Sequence, residues 1–150
     1  IVNLNHRLNC LGFLDLSSYG EKYKYSGCAG MADIVLALQW VKENIEAFGG
    51  DPDNVTVAGQ SGGGGKATLL MQMPAADGLY HKVISQSGAL RDRSNIRLAD
   101  EKRHWQRLGE KTAEILGLTK ENIDIIDDIS YEKLALARYR QEKNWECREE

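Results

Sequence analysis

Asn54-Val55-Thr56-Val57-Ala58-Gly59-Gln60-Ser61-Gly62-Gly63 is the stretch that decides how this chain reads. A short β-branched run ends abruptly in Gly-x-Ser-x-Gly, and a helix-compatible segment follows at once. That is the pattern of a strand turning sharply into a helix with a serine at the tip, a nucleophile elbow. The residue types have physical reasons. The serine occupies a strained turn, and glycines two residues to either side let strand and helix pass close together. The helix that starts just after Ser61 aims its free N–H groups outward, so the Gly62 N–H can hold a developing oxyanion. Ser61 is therefore the candidate nucleophile and Gly62 the candidate oxyanion-hole donor.

Two other glycine motifs compete for the same residues and are separated by spacing. A phosphate-binding loop needs G-x-x-x-x-G-K-[ST]. Aligning its Gly-Lys on Gly65-Lys66 puts Gln60 where the first glycine belongs and Ala67 where Ser/Thr belongs. Gly62, Gly64 and Ala67 fit the loose dinucleotide pattern G-x-G-x-x-A. That pattern also needs an acid closing the next strand, and the next strand-like run closes in Gln86-Ser87-Gly88.

Working outward, Met31, Ile34, Val35, Leu38, Val41, Ile45 and Phe48 recur at helical spacing. They predict one helix with a continuous apolar face, with Asp33 in its first turn and Gly49-Gly50 as a left-handed stop. Asp51-Pro52-Asp53 makes a turn into the strand. Ile1-Val2-Asn3-Leu4-Asn5 suits a buried strand, so strand, helix and strand make a βαβ unit with a parallel sheet. The polar and aromatic stretch from Asp15 to Gly30 reads as a surface loop in which Tyr19, Tyr23 and Tyr25 pack over the chain. Lys66 to Met73 continues as helix until Pro74 ends it, and His81 to Gln86 is the next strand. The four glycines Gly62–Gly65 are poor helix formers and imply backbone crowding beneath the turn. Beyond Gly88 the chain turns helical. Asp100 to Leu118 is amphipathic, with Trp105, Leu108, Ile115 and Leu116 on one side, and Thr119 and Ser130 are N-caps of two further helices. The fold class is α/β: a mostly parallel sheet with flanking helices over residues 1–88 and a helical excursion over 89–150.

The 150 residues are 42% hydrophobic and 27% charged, a globular balance, with a net charge of −3 that offers no basic surface for nucleic acid. No apolar run is long enough to span a bilayer. The three cysteines, Cys10, Cys28 and Cys147, have no metal-ligand spacing. They read as free thiols of a reducing, cytoplasmic compartment or as halves of bridges to residues elsewhere. The first residue is Ile1 and the last are Glu149-Glu150, which reads as an internal piece of a longer protein; export stays open for that reason.

Around the elbow stand Asn5-His6-Arg7-Leu8-Asn9, Leu11-Gly12-Phe13-Leu14, Ala29-Gly30-Met31-Ala32-Asp33 and Trp40-Val41-Lys42-Glu43-Asn44-Ile45. Further on come Phe48-Gly49-Gly50-Asp51-Pro52-Asp53-Asn54-Val55-Thr56, Gly59-Gln60-Ser61-Gly62-Gly63 and Gln86-Ser87-Gly88. Together these blocks resemble the type B carboxylesterases, in the same order, over residues 1 to 88. The resemblance implies an α/β-hydrolase fold and hydrolysis of carboxylic esters through an acyl-enzyme, with no cofactor or metal and a small-molecule ester as partner. It places Ser61 on the nucleophile and Gly62 on the oxyanion-hole residue, where many members carry alanine. Ser87 falls on a second serine near the triad. The acid, the histidine and a further oxyanion glycine stretch fall outside this chain, so the isolated segment is expected to be inactive.

A triad built from within would take its histidine from His104 and its acid from Asp92, Asp100 or Glu101, following the chain order serine, acid, histidine. Asp100 and His104 stand four apart on an expected helix, which is an ordinary surface pairing. His81 reads as structural, and His6 with Arg7 as a hydrogen-bonded turn or ion pair. The alternative function is a non-catalytic adhesion or binding module on the same fold; the intact Ser61 speaks for the enzyme. Substrate identity, acyl and alcohol size and oligomeric state are not written in these residues.

Overall fold

The computed structural model describes residues 1–88 and 98–146, with side chains placed at 1–88 and 103–140. In chain order the elements are α1 (Asn9–Phe13), α2 (Ala29–Asn44), β1 (Thr56–Gln60), α3 (Gly62–Leu70), β2 (Lys82–Gln86), α4 (Leu98–Ile115) and α5 (Tyr131–Glu146). Short 3-10 turns join them at Ser17–Tyr19, Glu21–Tyr23, Ser26–Cys28, Ile45–Phe48, Pro74–Ala76 and Ile123–Asp128. The chain divides into two compact units, Ile1–Asn5 with Met31–Asn95 and His6–Gly30 with Ile96–Glu150.

The first unit is built on a parallel pair. Thr56 to Gln60 of β1 lie in register with Lys82 to Gln86 of β2, and α3 makes the crossover between them. Exposure alternates along both strands, as a strand's two-residue period requires. The better-covered face carries Val57, Gly59, Val83 and Ser85. Ile84 on the other face is half exposed. The expected parallel sheet is present, but its βαβ unit is β1-α3-β2. Ile1-Val2-Asn3-Leu4-Asn5 forms no strand: Ile1, Val2 and Leu4 are exposed and have no strand beside them among the described residues. An apolar run becomes a strand only when a neighbour takes up its backbone groups.

The apolar face read from residues 31 to 48 is buried at Met31, Ile34, Val35, Leu38 and Val41. The α-helix starts two residues before Met31 and gives way to a 3-10 turn at Ile45, so Phe48 swings out to 72% exposure. Because α2 starts at Ala29, Asp33 stands beyond its first turn. Gly49 supplies the left-handed stop at φ 77°, its N–H donating to the Glu46 carbonyl, while Gly50 donates to Ile45. Asp51 then closes the expected turn, its carboxylate accepting from the Asp53 N–H at 2.9 Å. A groove of about 660 Å³ runs past Leu4, Leu38, Trp40, Val41 and Val57.

The second unit packs Cys10, Leu14, Leu16 and Tyr23 with Ala113, Leu118, Ile123 and Leu134. Fully burying one such leucine is worth about 1.5–3 kcal/mol. The stretch from Asp15 to Gly30, expected as a surface loop, is therefore a folded part of this unit. Three 3-10 turns carry Leu16 and Tyr23 inward, and the Tyr23 hydroxyl donates to Asp124 Oδ1 at 2.6 Å. On α4 the buried positions are Gly109, Thr112 and Ala113, whereas Trp105 and Ile115 are 47% and 41% exposed. The face is set by close approach: a Cβ on Gly109 would lie within bonding distance of the Asp15 carbonyl. Ser130 caps α5 by accepting from the Lys133 N–H, as expected. Thr119 opens only a turn, its Oγ1 accepting from the Glu121 N–H, and the helix after it is 3-10.

Candidate active site

Ser61 stands between the last residue of β1 and the first of α3, with φ 52° and ψ −120°. This is a conformation that non-glycine residues avoid, at a cost of about 1–3 kcal/mol. Two hydrogen bonds enforce it. The Ser61 N–H donates to the Gln86 carbonyl at 2.8 Å, and the Ser61 carbonyl accepts from the Gly65 N–H at 3.0 Å. The side chain does not cap α3, although Ser61 occupies the N-cap position. Its hydroxyl is left exposed, and among the described residues it has no hydrogen-bond partner. Gly62 is the first residue of α3 and is equally exposed, so its N–H is one of the helix's orphan donors.

The glycines around Ser61 answer to close contacts. A Cβ on Gly59 would run into the Gly63 carbonyl and stand 2.7 Å from the Gly64 nitrogen. A Cβ on Gly64 would meet Ser85 Oγ at 2.8 Å and the Gly59 carbonyl at 3.1 Å. Gly88 lies against the Ser61 carbonyl, with the Gly65 nitrogen 2.6 Å from the place of its missing Cβ. Strand, turn and helix therefore approach at backbone distance, with Gln86, Ser87 and Gly88 as the floor. Ser87 also has a positive φ, 54°, which turns the chain as it leaves β2. Ser85 Oγ is buried beneath α3 and has no hydrogen-bond partner among the described residues.

The histidines fall out as follows. His81 is structural: its Nδ1 accepts from the Val55 N–H at 3.1 Å while its backbone N–H donates to the Val55 carbonyl at 2.8 Å. His6 Nδ1 donates to the Arg7 carbonyl at 2.8 Å, and Arg7 Nη2 reaches the Ala29 carbonyl at 3.5 Å, so this pair forms a hydrogen-bonded turn. His104 lies on α4 in the second unit, edge-on to Trp105. Asp92 and the side chains of Asp100 and Glu101 lie outside the described residues, and the internal alternative lies outside them too. Of the tyrosines, Tyr23 is buried, Tyr19 reaches the Glu110 carbonyl at 3.5 Å and Tyr25 is 68% exposed. Cys10 and Cys28 are free, the first buried and the second exposed; Cys147 lies outside the described residues. Among the described residues no cluster of His, Cys, Asp or Glu is arranged to hold a metal ion, and no helix is long and apolar enough to cross a membrane.

In the sequence Lys66 stands out only as the lysine of a rejected phosphate loop and as the start of a helical run. In the structure Lys66 Nζ lies 4.0 Å from the point where a Cβ on Gly62 would stand. The signal was present in the spacing. On a helix the residue four positions on shares a face with Gly62, and side chains lean toward the N-terminus.

The family model for the carboxylesterase family matches residues 1–147. The para-nitrobenzyl esterase of Bacillus subtilis (strain 168) is 43% identical over 137 residues, which are 91% of this chain and 26% of that protein. Among solved structures, a thermophilic para-nitrobenzyl esterase superposes with a TM-score of 0.78 at 39% identity, covering 91% of this chain and 26% of its own. An esterase from Clostridium hathewayi, described as able to hydrolyse aliphatic aromatic polyesters, superposes with a TM-score of 0.73 at 46% identity, with the same coverage. The chain thus spans about a quarter of the length of these relatives. Their α/β-hydrolase fold, the parallel pair with its flanking helices and the family match over nearly every residue have one reading: this chain belongs to the carboxylesterase family.

Proposed function

We propose that the protein carrying this chain is a serine hydrolase of carboxylic esters, with Ser61 as nucleophile and the Gly62 N–H as an oxyanion donor. The observation that carries this reading is the strained Ser61, held by two backbone hydrogen bonds with its hydroxyl exposed at the N-terminus of α3. Strain of that kind persists only where the surroundings over-determine it, and such residues cluster at active sites. In the reaction, a histidine takes the Ser61 proton as Oγ attacks the ester carbonyl. The tetrahedral oxyanion settles against the Gly62 N–H, the alcohol leaves with the proton, and water repeats the cycle on the acyl-enzyme. One oxyanion donor is worth about 3–4 kcal/mol of barrier.

The histidine and its acid, in this reading, come from residues beyond these 150. His6 and His81 are engaged with backbone groups, which supports that assignment. Both units are read as parts of one α/β-hydrolase domain. Loss of the catalytic histidine costs on the order of a million-fold in rate, so the 150 residues alone are expected to be inactive. The test is labelling of the complete gene product with a fluorophosphonate probe, wild type beside Ser61→Ala. Labelling that disappears in the variant supports an activated serine. A well-folded wild type that takes up no probe overturns the reading and leaves a non-catalytic binding module.

A further inference from the structure

Four consecutive glycines follow Ser61, so the first side chain on α3 is that of Lys66. Nothing on the intervening turn screens it from the nucleophile. Lys66 lies one helical turn after Gly62 on the same face, and its ammonium folds back to 4.0 Å from the Cβ position of Gly62. It is half-buried, and it forms no ion pair among the described residues. A positive charge is thus held, unneutralised by any described carboxylate, beside the amide proposed to receive the oxyanion.

We propose that Lys66 is a specificity-determining residue that selects esters whose acyl part carries a carboxylate a few atoms from the scissile carbonyl, such as half-esters of short dicarboxylic acids. The inference rests on the serine-esterase reading of Ser61 and adds the substrate class. The chemistry follows from the placement. An acyl chain bound at Ser61 with its carbonyl oxygen on the Gly62 N–H passes near the ammonium, and a carboxylate on that chain meets it. A partly exposed pair a few ångströms apart favours the anionic ester by about tenfold, and salt weakens the preference. A neutral ester of the same length gains nothing from the charge.

The experiment compares kcat/KM of the complete gene product for the monoethyl ester of glutaric acid and for ethyl pentanoate, acyl chains of equal length, followed by pH-stat. Wild type, Lys66→Gln and Lys66→Arg are measured at low and high ionic strength, with fluorophosphonate labelling of Ser61 run in parallel. The anionic-to-neutral ratio is expected to fall about tenfold in Lys66→Gln, to be largely kept in Lys66→Arg, and to shrink with salt in the wild type. A merely structural lysine would move both esters together and leave the ratio alone, which overturns the inference. So does a labelled Ser61 with no hydrolysis of the glutarate half-ester. A protein that is neither labelled nor active on either ester removes the esterase reading itself, and the inference falls with it.

Discussion

Alanine substitutions along the glycines of the elbow separate helix propensity from close packing at neighbouring positions. At Gly63, within the first turn of α3, a Cβ would meet nothing within 4 Å among the described residues. Gly63→Ala therefore gains only the lower chain entropy of alanine, about 0.5–1 kcal/mol. At Gly64 the same gain is opposed by Ser85 Oγ at 2.8 Å and by the Gly59 carbonyl and Gly88 Cα at 3.1 Å. Overpacking costs about 1–3 kcal/mol, so the net is a destabilisation of roughly 1 kcal/mol. At Gly59 there is no helix gain to collect, and the clash is with the Gly63 carbonyl and the Gly64 nitrogen at 2.7 Å. Those are backbone atoms of α3 and cannot swing aside, which puts Gly59→Ala at the upper end, about 3 kcal/mol or more. The full span from Gly63→Ala to Gly59→Ala is then roughly 4 kcal/mol across five residues. Denaturant midpoints of the complete gene product, with unchanged m-values, read the order directly. Removing the hydroxyl in Gly64→Ala/Ser85→Ala should recover part of the Gly64 loss, since Oγ is the nearest atom. Equal effects at Gly59 and Gly63, or a loss at Gly63 larger than at Gly59, would refute the packing argument.

Two further expectations concern the second unit. The Lys22 ammonium at 2.6 Å and the Tyr23 hydroxyl hold the Asp124 carboxyl below its ordinary 3.8. A carboxyl depressed on folding stabilises above its unfolded value and stops doing so as pH falls through its folded one. The stability difference between wild type and Asp124→Asn should therefore hold steady above about pH 5 and shrink as pH drops below about 4; growth of that difference on acidification contradicts the assignment. In a Cys147→Ser background, Ellman's reagent should modify the exposed Cys28 in the native protein and the buried Cys10 only on unfolding. Although Cys28 is exposed, partial desolvation by the surrounding chain and the neighbouring Asp15 carboxylate push its thiol above its ordinary 9.0, so its rate should still be climbing at pH 9. Equal native reactivity of Cys10 and Cys28 would contradict the burial of Cys10.

What the sequence revealed of the fold was the part fixed by nearest neighbours. Gly-x-Ser-x-Gly after a β-branched run specifies a turn, and β1, Ser61 and α3 stand where that spacing puts them. The 3.6-residue repeat from Met31 to Val41 likewise needs only its own backbone to become a helix. Ile1–Asn5 failed as a strand because its partner is not a local property. The Asp15–Gly30 stretch hid its core residues because Leu16 and Tyr23 are carried inward by 3-10 turns, which have no apolar period long enough to recognise. On α4 and the turn after it the large apolar residues marked only part of the packed face: Leu116 packs against the core, while Trp105 and Ile115 are left exposed. The buried line runs through Gly109, Thr112 and Ala113, where small size admits the Asp15 backbone and Thr112 Oγ1 turns back to the Leu108 carbonyl at 2.7 Å. Hydrophobicity cannot mark a contact made by the lack of a side chain.

The glycine run after Ser61 carries that argument into the candidate site. Crowding was expected beneath all four glycines, and the structure supplies it for two. Gly64 is pressed by Ser85 and Gly88, and a Cβ on Gly65 would lie 3.3 Å from the Gly88 carbonyl. Among the described residues Gly62 and Gly63 have no such neighbour: one has only Lys66 Nζ, at 4.0 Å, and the other nothing. Each forgoes about 0.5–1 kcal/mol of helix stability that alanine would return. Packing explains the half of the run that faces β2; a bare turn over Ser61 explains the other half. That bareness leaves Ser61 exposed and lets the Lys66 ammonium lie beside Gly62. Gly62→Ala tests the division: a Cβ there would stand in ordinary contact with the Lys66 ammonium at 4.0 Å, so α3 should gain about 0.5–1 kcal/mol while the preference for the anionic ester is kept. A loss of stability in Gly62→Ala, read from the denaturant midpoint, would mean that Gly62 is packed as Gly64 is and that the division of the run is wrong.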